Sequence, residues 1–129
     1  MQVDGAGMAA RARLRTDEQG RYWFWSIRPF YYPIPMDGPV GKMITRSGSH
    51  PNRPGHIHFK VSAPGHVDVT THLFVANSPY IESDVVFGVR DSLIVEFERH
   101  PPGQAADGRV LTTTYWSAHH DFRLIPAAR

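Results

Sequence analysis

The stretch His56-Ile57-His58-Phe59-Lys60-Val61, the break Ala63-Pro64-Gly65, and the run from Val67 to Ala76 read as two β-strands in succession. In the second, Val67, Val69, Thr71, Leu73 and Val75 alternate with Asp68, Thr70, His72 and Phe74, the period of two that a pleated strand imposes. Further strands flank this pair. Arg21-Tyr22-Trp23-Phe24-Trp25-Ser26-Ile27 is aromatic and β-branched, lies between Gly20 and Pro29, and is entered by turn residues at Thr16-Asp17-Glu18-Gln19-Gly20. Ser92 to Arg99 and Val110 to Trp116 supply two more, separated by turns at Pro101-Pro102-Gly103 and Asp107-Gly108. Tyr80 to Arg90 is ambiguous, since Ser83 or Asp84 could cap a short helix while Val85-Val86-Phe87 argues equally for strand. Phe30 to Asn52 holds Pro33, Pro35, Gly38, Pro39, Gly41, Gly48 and Pro51, which predicts mostly irregular chain; a loop that long in a compact domain usually has a function. Short strands with turn signals between them indicate an all-β sandwich or barrel.

Bulk properties narrow the class. A chain of 129 residues suits one domain, residues 1–129, with a 41% apolar and 20% charged composition ordinary for a globular protein. Lys plus Arg number 14 against 12 Asp plus Glu, and no basic run appears, so nothing argues for nucleic acid. With no cysteine, disulfides and thiolate metal sites are excluded. No apolar stretch approaches the roughly 20 residues of a membrane helix, which argues against a membrane partner. Met1-Gln2-Val3-Asp4-Gly5 lacks the basic-then-apolar layout of a secretory signal, and the cytoplasm is the default expectation.

His56 and His58, two apart on a strand, project from one face while Ile57 turns to the other. Two parallel imidazoles make half of a four-ligand metal site, and equally suit packing on a half-buried face. Arg53-Pro54 just ahead places a permanent cation near the rings, and Tyr31 and Tyr32 lie in a loop whose backbone Pro33 restricts. A phenolate is a hard anionic donor that suits a highly charged metal better than zinc, so two histidines and a tyrosine point to ferric iron.

The blocks Tyr32-Pro33-Ile34-Pro35, Asp37-Gly38-Pro39-Val40-Gly41 and His50-Pro51-Asn52-Arg53-Pro54-Gly55-His56-Ile57-His58-Phe59 resemble the intradiol catechol dioxygenases. They are most similar to the branch that acts on hydroxyquinol. The resemblance continues through Thr71-His72-Leu73-Phe74, Tyr80, Ser83-Asp84, Val86-Phe87-Gly88-Val89, Asp91-Ser92-Leu93-Ile94 and Asp121-Phe122-Arg123-Leu124, about nine-tenths of the chain.

The resemblance implies a β-sandwich of mixed and antiparallel sheets with long Pro/Gly-rich loops, and a non-haem Fe(III) cofactor. It implies Tyr32, His56 and His58 as iron ligands, Tyr32 also serving as base, and Arg53 as the charge stabilising the substrate. His72 would lie near the reacting oxygen, and Ile34, Pro35 and Val86 would line the ring pocket. Substrates would be a small aromatic diol or triol and O2, giving maleylacetate from hydroxyquinol. Catechol or a chlorocatechol is the enzymatic alternative, and a non-catalytic metal-binding β-sandwich the alternative of another class. A fourth ligand, a tyrosine on a Gly-x-Tyr-Asp segment, is expected by the family's spacing just before Met1, upstream of an Arg-rich strand at Arg11 to Thr16. Tyr22 falls where the family has a core aromatic. The family's N-terminal helical dimerisation region and first strands are expected to be missing from residues 1–129, so a second copy or a partner chain could cover that face. His50 and His66 read as structural, and His100, His119 and His120 as surface or core histidines.

Overall fold

The computed structural model describes residues 11–128; the Met1–Gly5 segment lies outside them. The architecture is all-β, with strands in four small sheets and one helix among the described residues. Its centre is a three-stranded mixed sheet. Strand β3 (His56–Val61) pairs antiparallel with β4 (Val69–Val75), and β5 (Ile94–Val95) joins the other edge of β4 in parallel. The expected turn closes the β3–β4 connection: the His66 N–H donates to the Ala63 carbonyl at 3.1 Å, and Gly65 takes a left-handed φ of 71° that a side chain would strain.

The first strands are short. β1 (Tyr32–Pro33) pairs antiparallel with β2 (Asn52–Arg53), setting Tyr32 opposite Arg53 across the long loop. Beyond β5, β6 (Glu98–His100) pairs with β9 (Tyr115–Ser117), and β7 (Gly103–Gln104) with β8 (Val110–Leu111). The single strands expected over Ser92–Arg99 and Val110–Trp116 are therefore each broken in two, the first after a 3-10 turn at Asp91–Leu93. Tyr80–Arg90 is neither helix nor strand but a chain of turns, with Tyr80 and Phe87 at φ of 69° and 53°.

The core follows from β4. Leu73, Phe74, Val75 and Ala76 are all buried, as is Val95 beside them. At its C-terminal end, where β5 pairs along its edge, β4 loses its alternation and becomes a continuous apolar run, the pattern of a strand buried on both faces. Burying a side chain such as Phe74, with no exposed area, contributes roughly 1.5–3 kcal/mol. On β3 the two faces diverge. Phe59 packs with Tyr22, Phe24 and Phe122, at ring separations of 6.4, 6.1 and 5.0 Å, while His56 and His58 occupy the other face.

Three sequence expectations need correction here. Arg21–Ile27 is not a strand, and neither is Arg11–Thr16. Their β-propensity is real, but a strand exists only through a ladder with a neighbour, and among the described residues none pairs with them. The segment is instead held by side chains: the Tyr22 hydroxyl donates to the His120 carbonyl at 2.8 Å, and the Trp25 indole donates to Asp107 at 2.7 Å. The Phe30–Asn52 loop is not wholly irregular, because α1 spans Pro39–Ser47. Pro39 sits at its start, where a missing N–H costs nothing, and Gly48 closes it with a φ of 71°, its N–H donating to the Thr45 carbonyl at 3.3 Å.

Candidate metal centre

Four backbone segments converge on the histidine face of β3. β3 places His56 and His58 two residues apart, and antiparallel pairing sets His72 of β4 directly opposite His58. The ring centroids of His58 and His72 are 4.2 Å apart, and that of His56 lies 5.0 and 5.1 Å from the other two. One nitrogen from each ring lies within 4.8 Å of the others. From β1, the Tyr32 hydroxyl comes within 3.2 Å of His56 Nε2, and from β2, Arg53 Nη1 comes within 3.4 Å of the same atom. Tyr31, beside Tyr32 in sequence, packs against Phe30 and edge-on against Tyr80.

The local chain explains this geometry. Arg53 to His56 are buried, and the Gly55 N–H donates to Ser78 Oγ at 2.8 Å while its carbonyl accepts from the Val75 N–H at 2.9 Å. A side chain at Gly55 would approach the Pro29 carbonyl oxygen to 2.8 Å, so the Arg-Pro-Gly-His turn requires glycine there. His56 Nδ1 donates to the Pro54 carbonyl at 2.7 Å. That bond fixes the tautomer and leaves the Nε2 lone pair facing Tyr32 and the other rings, the arrangement that orients a histidine ligand.

Arg53 is held by a partner that the sequence did not single out for the task. Asp84 accepts from Arg53 Nε at 3.0 Å and Nη2 at 3.1 Å, both groups being buried. It also accepts the Gly88 N–H at 2.9 Å. The fork holds Asp84 below the ordinary carboxylate range, its burial outweighed by Arg53 and the Gly88 amide. Burial likewise disfavours the Arg53 charge, but the hydrogen bond and charge of Asp84 and the nearby Tyr32 raise it further. Only spatial pairing across 31 residues reveals this bond. His50, read from the sequence as structural, packs against Tyr80 with ring centroids 4.5 Å apart and accepts the Asn52 N–H at 3.1 Å.

The remaining expected residues lie at the margin. Ile34 and Pro35 follow β1, where the Ile34 N–H donates to the Pro51 carbonyl at 2.9 Å. Val86 is half-exposed, and its methyl lies near Gly88, on the Arg53–Asp84 side. No hydrogen bond links Ile34, Pro35 or Val86 to the histidines among the described residues.

All three imidazoles are shifted toward the neutral form. Burial lowers His56 and His58, reinforced by the Arg53 charge, and burial with the neighbouring rings lowers His72 from 6.5 to about 4. Between those two values the unfolded chain binds more protons than the folded one, so stability falls as pH drops from 6.5 toward 4. For His72, discounted for its solvent-facing edge, the loss is about 1–2 kcal/mol. Urea midpoints of metal-free protein at pH 7 and pH 4.5 should show it, with a smaller difference in His72→Gln. A flat profile would count against this burial.

The family model described as Dioxygenase matches residues 5–124. The hydroxyquinol 1,2-dioxygenase of Rhizobium sp. (strain MTP-10005) is 48% identical over 84% of the chain. The chain belongs to the intradiol dioxygenase family. Among solved structures it is similar to the hydroxyquinol 1,2-dioxygenase of Pseudomonas putida DLL-E4, 42% identical over 78% of the chain with a TM-score of 0.69. It is also similar to the catechol 1,2-dioxygenase of Acinetobacter sp. ADP1 inhibited by bound mercury, 34% identical over 88% of the chain with a TM-score of 0.80. The chain spans just over a third of each of these intradiol dioxygenases: 37% of the Rhizobium protein, 35% of the Pseudomonas chain and 37% of the Acinetobacter chain.

Proposed function

We propose that this chain carries the iron-holding part of an intradiol dioxygenase that opens hydroxyquinol to maleylacetate. The observation that carries the reading is the meeting of Tyr32, Arg53, His56 and His58 at one point, from three strands, with the His56 lone pair directed there. The donor set fits a hard, highly charged metal: two neutral imidazoles and a phenol that a bound cation would deprotonate. Tyr32, His56 and His58 would hold Fe(III), which when bound stabilises the diol dianion and draws charge from the ring so that it reacts with O2.

The chain's own residues then divide the work. Tyr32 would accept a proton from the incoming diol as its oxygen gives up its place. The Arg53 guanidinium, fixed by Asp84, would stabilise negative charge developing on the substrate in a partly dry site. His72, a neutral imidazole on the same face, would exchange a proton at the reacting oxygen. Ile34, Pro35 and Val86 would border the aromatic ring. Trp23, Ile27 and Phe30, exposed to 69%, 83% and 66%, support the further reading that additional protein, in a longer chain or a partner chain, covers these side chains.

Oxygen uptake by iron-loaded protein with hydroxyquinol tests the activity, and catechol in parallel ranks the substrates. Maleylacetate carrying both atoms of labelled O2 is the expected product; uptake without it would refute the reaction class. Tyr32→Phe should remove most of the tyrosinate-to-iron charge-transfer colour, because the other ligands assigned here are imidazoles. A band that survives the change would assign the phenolate to another tyrosine.

A further inference from the structure

We infer that Ser78 is a positioning residue for the metal ligand His56, acting through the peptide unit that joins Pro54 to Gly55. The inference rests on the metal-centre reading above and deepens it. That one peptide is gripped at both ends. Its N–H, on Gly55, donates to Ser78 Oγ at 2.8 Å, and its carbonyl, on Pro54, accepts from His56 Nδ1 at 2.7 Å. Both bonds are buried, and Ser78 itself is 7% exposed. A hydroxyl outside the ligand set thus begins a continuous chain: Ser78 Oγ, the peptide, the His56 ring, and the Nε2 lone pair 3.2 Å from the Tyr32 hydroxyl.

This chain of bonds does two things. It fixes the plane of the peptide, because turning the Pro54 carbonyl away from His56 would also pull the Gly55 N–H off Ser78. It also strengthens the carbonyl as an acceptor, since hydrogen bonds in series polarise one another where water is excluded. A firmly held Nδ1–H makes Nε2 the better donor to a cation. The fold delivers Ser78 from the end of β4. There the Ser78 N–H donates to the Val75 carbonyl at 3.1 Å, in a turn that puts Asn77 at a left-handed φ of 57°. The Val75 N–H meanwhile holds the Gly55 carbonyl at 2.9 Å, so the chain on either side of Gly55 is pinned to one turn. Alanine at Ser78 would take the acceptor from a buried N–H and release the peptide that orients His56.

Two measurements on the full chain provide the test: ring-nitrogen NMR shifts of the metal-free protein, and cobalt(II) titration followed by visible absorption. The wild type should hold His56 in the Nδ1–H tautomer, and Ser78→Ala should let the Nε2–H form appear. Cobalt affinity should fall about tenfold in Ser78→Ala, the lower end of the range for a residue that supports a ligand, and should recover in Ser78→Thr, which returns the hydroxyl. In a His56→Ala background the same Ser78→Ala change should leave affinity unaltered, because the residue it acts through is gone. A merely structural serine would cost affinity in both backgrounds. Circular dichroism checks the fold, and Ser78→Val, which has the shape of threonine without its hydroxyl, repeats the comparison should alanine unfold the chain. Tautomer and affinity unchanged in Ser78→Ala, with affinity lost in His56→Ala, would overturn the inference and leave the metal-centre reading standing. Affinity unchanged in His56→Ala would overturn both.

Discussion

Replacing Asp84 with alanine should destabilise the protein by about 3–5 kcal/mol, the usual cost of leaving one member of a buried ion pair without its partner. Asp84 is 3% exposed and accepts two hydrogen bonds from Arg53, itself 7% exposed. Without the carboxylate, the guanidinium keeps its desolvation cost and loses its compensation, and the Gly88 amide loses its acceptor. There is little room to relax, since even a Cβ at Gly88 would come within 3.0 Å of Arg53 Nη2. Asp84→Asn should lose less, because one oxygen still accepts while the charge is gone. Urea unfolding of the metal-free forms measures both. Because Asp84 is depressed below 3.8, its contribution is present above that pH and is lost as pH falls through the lower folded value. A loss below about 1 kcal/mol in Asp84→Ala would mean that the pair is far more hydrated than its burial implies.

The second large effect concerns turnover. Arg53→Leu should retain iron, because Arg53 donates toward the site but is not among its ligands. It should lose about 10²–10³-fold in kcat, the range seen when a preorganised charge-stabilising donor is removed. Arg53 also anchors Asp84, so Arg53→Lys is the necessary companion. It restores a charge without the planar fork and should recover stability better than activity. Iron content and colour, measured on the same samples as oxygen uptake, separate a lost site from lost chemistry. A coloured Arg53→Leu protein with near-normal turnover would refute the electrostatic role.

Much of the centre was legible in the residues. A period of two put His56 and His58 on one face, and the β3–β4 ladder bears that out. The turn at Ala63-Pro64-Gly65 follows the chemistry of its residues. The all-β class followed from strand-like runs and frequent turn signals, although several strands were drawn too long. What pattern could not supply was pairing. Arg21–Ile27 has strand composition and no ladder partner among the described residues, and Asp84 acquires its meaning only from a guanidinium 31 positions earlier. The helix at Pro39–Ser47 is hidden in the pattern for another reason. Proline and glycine there carry the signature of breakers, whereas Pro39 starts the helix and Gly48 ends it. The opposition of His58 and His72 depends on register, which spacing along one strand does not reveal.

The most direct test is the visible spectrum of the chain reconstituted with ferric iron, recorded without oxygen before and after adding hydroxyquinol. The account predicts a tyrosinate-to-iron charge-transfer band that shifts when the diol binds, since Tyr32, His56 and His58 converge on one point. A protein that binds iron but stays colourless would contradict it.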